Sequence, residues 1–471
     1  MRKKDISNLL ERYEQMLISG KNVYFDADEY DELADYYDKS DDIETAKEIV
    51  KLGLSIHPNN ESLMIRHVRF LTYDANYSSA LHYLNSHFNG YDFEQYLLKI
   101  ECLLQLGLYA EAHSLTVEVL QDEDTDIDLI LSELGFIYIE AEYVDEAILY
   151  FEKSLEYMPD NIEVLNDLVY AYETKEDFPN AINTCERILD IDPYLFEGWM
   201  TLGKLYSLQG DYEKAIDSFD FSLTLDDSNI NVLKLKAHCL LLSDRMEEAI
   251  ETLLQCIELS QEDSTIYISL IECYISLEKY DNAYKTLLEY ENRFGETAES
   301  ILQKASIFFF QGNNSSIKEL IDKALEIDND SYETMILSAD LYLKLGELES
   351  AEDLYNKAFT MEESEILIEK LISLYIQKNE FQKAIEYQKK LLLLDNSNLA
   401  KIKLALLYLE ISNKNKFEEL IASFDNAALS SFLQLFYTEE SISPANDDRE
   451  YLLRRVDNIY ESRLLYKNIK Y

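Results

Sequence analysis

Residues 196–229 read FEGWMTLGKLYSLQGDYEKAIDSFDFSLTLDDSN, and this stretch decides the fold. With Phe196 counted as offset 1, Trp199, Leu202, Gly203 and Tyr206 stand at offsets 4, 7, 8 and 11, and Tyr212, Ala215 and Phe219 at 17, 20 and 24. Apolar residues therefore recur at helical three- and four-residue steps in two runs, with Gly210 at offset 15 as the break between them. Gly203 and Ala215 leave space where two helices must approach closely, and the large residues at 4, 11 and 24 fill the gaps beside them. The reading is an antiparallel helix pair. One pair cannot bury both of its faces, so it needs neighbours.

The neighbours are in the sequence. The small residue at offset 20 recurs as Ala46, Ala80, Ala112, Ala147, Ala181, Ala215, Ala249, Ala283, Ile317, Ala351 and Ala384, at intervals of 32 to 35 residues. Pro58, Pro159 and Pro193 fall at offset 32, and Gly135 with Tyr138 repeats the Gly-x-x-Tyr step of Gly203 and Tyr206. These residues resemble the tetratricopeptide repeat (TPR) family at nearly every signature offset, most closely its bacterial, cytoplasmic, multi-repeat members. The resemblance implies an all-α fold, a TPR solenoid in which antiparallel helix pairs wind into a right-handed superhelix. Residues 27–398 hold eleven TPR-like repeats, and 399–446 a degenerate copy, with Leu404, Ala405 and Tyr408, and a helix. The ends read as caps: residues 1–26 form an N-terminal capping helix through Ile6, Leu9, Leu10, Tyr13 and Leu17, and residues 447–471 a C-terminal one through Leu452, Val456, Ile459 and Leu464. That last segment is basic in an acidic chain, which predicts docking on the acidic array.

Composition narrows the function. The 471 residues carry a net charge of −50, and that acid excess opposes direct nucleic-acid binding, which needs a basic face against phosphate. Hydrophobic residues make up 47%, enough to build a core despite the charge, and 11 Gly with 5 Pro leave little material for a turn-rich β fold. No apolar run reaches the roughly 18 to 20 residues that cross a bilayer, so no membrane insertion is expected. Five cysteines, odd in number and never in a Cys-x-x-Cys pair, point to a reducing, cytoplasmic setting without disulfides.

Three motifs invite chemistry. Gly198 to Lys204 fits the first seven residues of a phosphate-binding loop, yet Leu205 stands where the metal-binding hydroxyl belongs and the repeat frame puts the whole motif inside a helix. Asp122, Asp124, Asp126, Asp128 and Glu133 occupy positions 1, 3, 5, 7 and 12 of a candidate calcium loop, but Ile127 replaces the glycine of the sharp turn. His82 and His87 are five residues apart, off the one-turn spacing of a helical zinc site. Cys102, Cys239 and Cys273 all fall at offset 10, where a small inward residue is wanted. No catalytic set and no cofactor site emerges, so the chain is read as non-enzymatic.

What remains is a surface. In TPR proteins the first helix of each pair lines a concave groove through offsets 2, 5, 6, 9, 12 and 13. That frame implies a partner-binding groove of Phe136, Asn166, Asp167, Tyr170, Glu173, Lys204, Lys234 and His238, with an acidic end at Asp28, Asp31, Glu32 and Asp35. Farther along, Phe309, Phe310, Ile336 and Leu343 form an apolar stretch. Such a groove suits a peptide or protein segment, and the acid majority favours a basic one. The expected function is a non-catalytic scaffold or adaptor. The alternatives are a peptide-sensing regulatory protein and an enzyme whose site goes unrecognised.

Overall fold

The computed structural model describes residues 3–20, 23–88, 92–121, 127–260, 262–394, 397–437 and 449–462. Its described residues form α-helices joined by short turns, with one 3-10 turn at Asn314–Ser316 and no strand. The chain divides into two compact units, residues 1–244 and 245–471.

In the first unit the helices come in pairs in the frame of the period: Ala27–Lys39 with Ile43–Ile56, Ile127–Glu140 with Val144–Tyr157, Ile162–Thr174 with Phe178–Ile191, and Phe196–Gln209 with Tyr212–Leu225. Second helices pack on their own first helix and, with the exception of Tyr109–Val119, closely on the first helix of the next pair, so the pairs are sandwiched. Before the first helices stand Asp26, Asn60, Asp92 and Asn161, whose side chains accept backbone N–H bonds and satisfy amides the helix leaves open. Leu9 and Tyr13 of the helix Lys3–Ser19 are buried against Phe25, Tyr30, Leu33 and Val50. The N-terminal helix thus covers the first pair's apolar face.

The turn inside each pair has one construction. The residue at offset 15 lies in the left-handed region in every described copy, from Asp41 and Ala75 to Asn379 and Ser412, with φ between 54° and 86°. The next N–H then reaches back to the carbonyl at offset 11, as Asp211 does to Tyr206 (2.9 Å) and Glu347 to Tyr342 (2.9 Å). This is the Schellman closure of a helix end. Only Gly107, Gly210, Gly312 and Gly346 meet it with glycine, and Glu142, Glu176 and Glu278 adopt it at some strain.

Offsets 8 and 24 meet at the centre of each pair. A Cβ on Gly203 would lie 2.5 Å from the Phe219 ring, and one on Gly135 would lie 2.5 Å from Phe151. Where offset 8 is larger, offset 24 is not a phenylalanine: Ile100 is matched with Thr116, and Val169 with Cys185.

The tyrosine surplus also has a place. Tyr172 and Tyr206, at offset 11, donate their phenol O–H to Glu152 (2.6 Å) and Glu186 (3.0 Å), both at offset 25 of the preceding repeat. In the second unit Tyr342 does the same to Asp322 (3.0 Å). Each bond leashes one pair to the pair before it.

The second unit continues the pattern through Tyr332–Lys344 with Leu348–Met361, Glu365–Gln377 with Phe381–Leu394, and Asn398–Glu410 with Lys414–Ala422, followed by Asn426–Gln434. The helix Arg449–Ser462 closes it by burying Leu452, Val456 and Ile459 against the cluster that holds Phe424, Leu429 and Leu433. The seam is apolar, and Arg463, Leu464, Lys467 and Lys470 of the basic C-terminal segment lie outside the described residues. Arg449 donates to the backbone carbonyls of Phe424 (2.7 Å) and Ala422 (3.1 Å), Arg454 pairs with Glu450 of its own helix, and Arg455 lies over the Tyr437 ring.

Candidate groove of the first unit

The four residues at offset 9 in successive first helices are Phe136, Tyr170, Lys204 and His238, and all four are exposed. Phe136 is 52% and Tyr170 57% exposed, which is costly for side chains of that size unless something covers them. One turn further on each helix come Glu140, Thr174, Leu208 and Leu242, so the same face adds two exposed leucines that sequence reasoning did not name. Asn166 and Glu173 are exposed on the helix of Tyr170, while Asp167 and Lys234 are half-buried. Burial raises the Asp167 carboxyl above its ordinary range, with repulsion from Glu163 and Glu133 adding to it.

A depression of about 300 Å³ opens beside Phe136, lined by Arg69, Glu94, Glu101, Glu133 and Glu140 among others. Arg69 is held by Glu94 at 2.5 Å. Burial raises Glu101, against the opposing pull of a Thr72 hydrogen bond and of Arg69. Four carboxylates around one arginine leave a pocket that favours a cation beside an aromatic ring. Glu101 and Arg69 are both offset-9 residues, so the period pointed to them, but their chemistry emerges only when three helices are brought together.

The acidic end is occupied by the chain itself. Arg66, at offset 6 of the second repeat, reaches Asp31 (2.8 Å), Asp35 (3.6 Å) and Asp38 (3.7 Å), and its side chain is only 16% exposed. Asp28 stays exposed and Glu32 half-buried. A run of acids on one helix therefore reads as less negative than its sequence suggests, because the neighbouring helix supplies the cation.

The other motifs fall elsewhere. Gly198 and Gly203 are buried inside the helix Phe196–Gln209, so the phosphate-loop pattern has no loop. Asp122, Asp124 and Asp126 of the calcium candidate lie outside the described residues, whereas Asp128 and Glu133 are within the helix Ile127–Glu140. Among the described residues no group of three or more His, Cys, Asp or Glu side chains is placed to hold a metal ion. All five cysteines are buried and none forms a disulfide, and burial pushes the Cys102 and Cys185 thiols up to about 12, away from reactivity. Among those residues, too, no helix is long and apolar enough to cross a membrane. In the second unit Phe309, Ile336 and Leu343 are partly buried against the core, and Phe310 carries Lys344 over its ring at 5.1 Å.

Comparison with known proteins gives the pattern a context. Residues 130–161, 332–365 and 373–398 match the tetratricopeptide repeat family, and 174–256 match the family of anaphase-promoting complex, cyclosome, subunit 3. The chain is similar to anaphase-promoting complex subunit 7 of Dictyostelium discoideum (21% identity, over 43% of this chain and 35% of that protein) and of Homo sapiens (24%, over 50% and 47%). It is also similar to the TPR repeat-containing protein YpiA of Bacillus subtilis (24%, over 46% and 51%). The chain thus spans about a third to a half of the length of these relatives. Among solved structures, yeast Tom70 aligns over 92% of this chain and 100% of its own, at 15% identity and a TM-score of 0.45.

Proposed function

We propose that this chain, which is built of tetratricopeptide repeats, is a non-catalytic scaffold whose first unit holds an extended, basic protein segment along its first helices. One observation carries the reading: the exposed row of Phe136, Tyr170, Lys204 and His238, repeated at one offset through four pairs. Aromatic rings spaced along a rigid wall bind without paying to order themselves, because the wall is set by the packing behind it. The carboxylates around Phe136 supply the charge preference, and attraction from the net charge of −50 adds long-range steering that weakens as salt rises. The relatives named as subunits of the anaphase-promoting complex are assembly components, and this supports a scaffold role here. The buried thiols, none of them in a disulfide, fit a cytoplasmic setting.

The test is a four-site variant, Phe136→Ala, Tyr170→Ala, Lys204→Ala and His238→Ala, compared with the wild type for capture of partners from source cells at low and high salt. Aromatic anchors of this kind are each worth about 1–2 kcal/mol or more, so capture should fall by at least tenfold with circular dichroism unchanged. Undiminished capture by a helical variant removes the groove reading.

A further inference from the structure

Trp199 is the only tryptophan in the chain, and it lies on the opposite side of its helix from the groove. It stands five residues before Lys204, which is about 140° around a helix of 3.6 residues per turn. Its indole N–H donates to the Pro193 carbonyl at 2.9 Å, which fixes the ring. Phe221 stacks on it with centroids 4.6 Å apart and planes 19° from parallel. Together with Tyr206 these rings line a pocket of about 590 Å³, whose rim carries Glu186, Asp190 and Asp217.

Two features set the pocket apart from ordinary packing. Phe221 stands at offset 26 and is 55% exposed, whereas the same offset holds Glu118, Lys153, Arg187, Glu289 or Lys323 in other repeats. Leu52, Ser86 and Gln255 are the uncharged counterparts, and an exposed phenylalanine where most of its counterparts are charged gains little from the core. The carboxylates also stand open: Asp190 and Asp217 make no hydrogen bond or ion pair among the described residues, and Asp190 follows Glu186 by one helical turn, a like-charged pair that weakens the helix. The chain's own Lys214 shows what such a wall attracts. Its ammonium lies 5.1 Å from the centre of the Tyr206 ring, tied to Asp211 at 2.9 Å, which leaves the Trp199–Phe221 pair to another cation.

We propose that this pocket is a second docking site, on the face away from the groove, for an arginine side chain of a basic partner. A guanidinium lies flat on the exposed Phe221 ring beside the partly buried Trp199 and turns its planar set of donors toward Asp190, Asp217 and Glu186. An ammonium is a compact point charge without a flat face to stack or a planar fork of donors, so it makes the weaker match. The site is independent of the groove reading, because none of the groove's residues lines it.

The single tryptophan makes the test direct. The full chain is titrated with acetyl-Gly-Arg-Arg-Gly-amide, with its lysine counterpart of equal charge, and with a glutamate counterpart, while Trp199 emission is followed. The arginine peptide should give a saturable change, the lysine peptide should bind about fivefold more weakly, and the glutamate peptide should give none. Phe221→Ser leaves the core untouched and should weaken the arginine peptide by about five- to thirtyfold. Asp190→Asn with Asp217→Asn, which keeps the rings, should weaken it and flatten its salt dependence. The groove variant Tyr170→Ala, Lys204→Ala and His238→Ala should leave the titration unchanged, so failure here and failure of the groove are read separately. Equal binding of arginine and lysine peptides, or full affinity in Phe221→Ser, shows attraction to net charge alone and overturns the proposal, as does the lack of a saturable signal.

Discussion

The joint at the centre of the sixth repeat and the joint at the centre of the eleventh occupy the same offsets and are filled in opposite ways. In the sixth, Gly203 gives up its side chain so that the Phe219 ring can lie against the backbone. In the eleventh, Ile372 is 5% exposed and faces Gln388, which is fully buried, donates Nε2 to the Ala400 carbonyl at 3.1 Å and leaves Oε1 without a partner. The tenth repeat is intermediate: Ala339 faces the buried Tyr355, whose phenol bonds Asp340, itself paired with Lys370 at 2.7 Å. The backbone keeps its period in each case. The combined volume at offsets 8 and 24 is what matters, so polar chemistry can be placed at the joint as long as the volume is kept.

The largest expected effect breaks that equivalence. Phe219→Ala removes a ring with no exposed surface from a close-packed joint and should cost about 3–5 kcal/mol. Gln388→Ala should cost only about 1 kcal/mol, since an orphaned acceptor leaves together with the lost methylenes. Hydrogen exchange of amides in the helices Tyr212–Leu225 and Phe381–Leu394 reads each loss locally, which matters in a repeat array where unfolding need not be all-or-none. Equal losses at the two joints would mean that volume alone does not set their strength. Gly203→Ala follows at about 1–3 kcal/mol, because the added Cβ forces the Phe219 ring off its rotamer, whereas Ala339→Gly leaves a small cavity and should cost less.

The leash between pairs is the next smaller term, and both units share it. Burial and the bond to Glu186 push the Tyr206 phenol up to about 12, and burial with the bond to Asp322 does the same for Tyr342. A phenol whose folded value exceeds its unfolded value of about 10 stabilises the fold fully below pH 10 and ceases to do so as pH rises through 12. Thermal stability should therefore be flat up to about pH 10 and then fall. Tyr206→Phe with Tyr342→Phe should lose about 1 kcal/mol per bond at neutral pH and show a shallower alkaline decline. A double variant with the wild-type alkaline profile would place the decline elsewhere.

These terms also show how far the sequence could be read. The period located the helices, the close approach at offset 8 and the turn at offset 15, because each is a local demand on one residue type. The family resemblance, which implies the groove offsets, then named Phe136, Tyr170, Lys204 and His238. The period did not reveal that Arg66 neutralises Asp31 and Asp35, that Glu101 joins Phe136 in a pocket, or that Tyr172 and Tyr206 bond acids of the preceding repeat. Those partners lie 20 to 35 residues apart along the chain, and the period says only which offsets face each other. Whether two long side chains then meet depends on their rotamers and on competing partners. Phe221 carried a signal that could have been used: it breaks the charge pattern of its own offset.

The smallest effect sharpens the comparison at the one feature in which all repeats agree. Glu142, Glu176 and Glu278 hold φ of 65°, 60° and 57° at offset 15, where Gly210 holds 86°. The left-handed region costs a residue with a Cβ about 1 kcal/mol, and glycine removes that cost while making the unfolded chain somewhat more flexible. Glycine at each of the three sites should therefore stabilise by about 0.5–1 kcal/mol, additively because the turns are far apart, and Gly210→Ala should destabilise by a similar amount. Melting temperatures of the single and triple variants measure both signs. A triple variant no more stable than the wild type would mean that the glutamates make compensating bonds at the turn, which would leave the joints at offsets 8 and 24 and the tyrosine bonds to set how the repeats differ in strength.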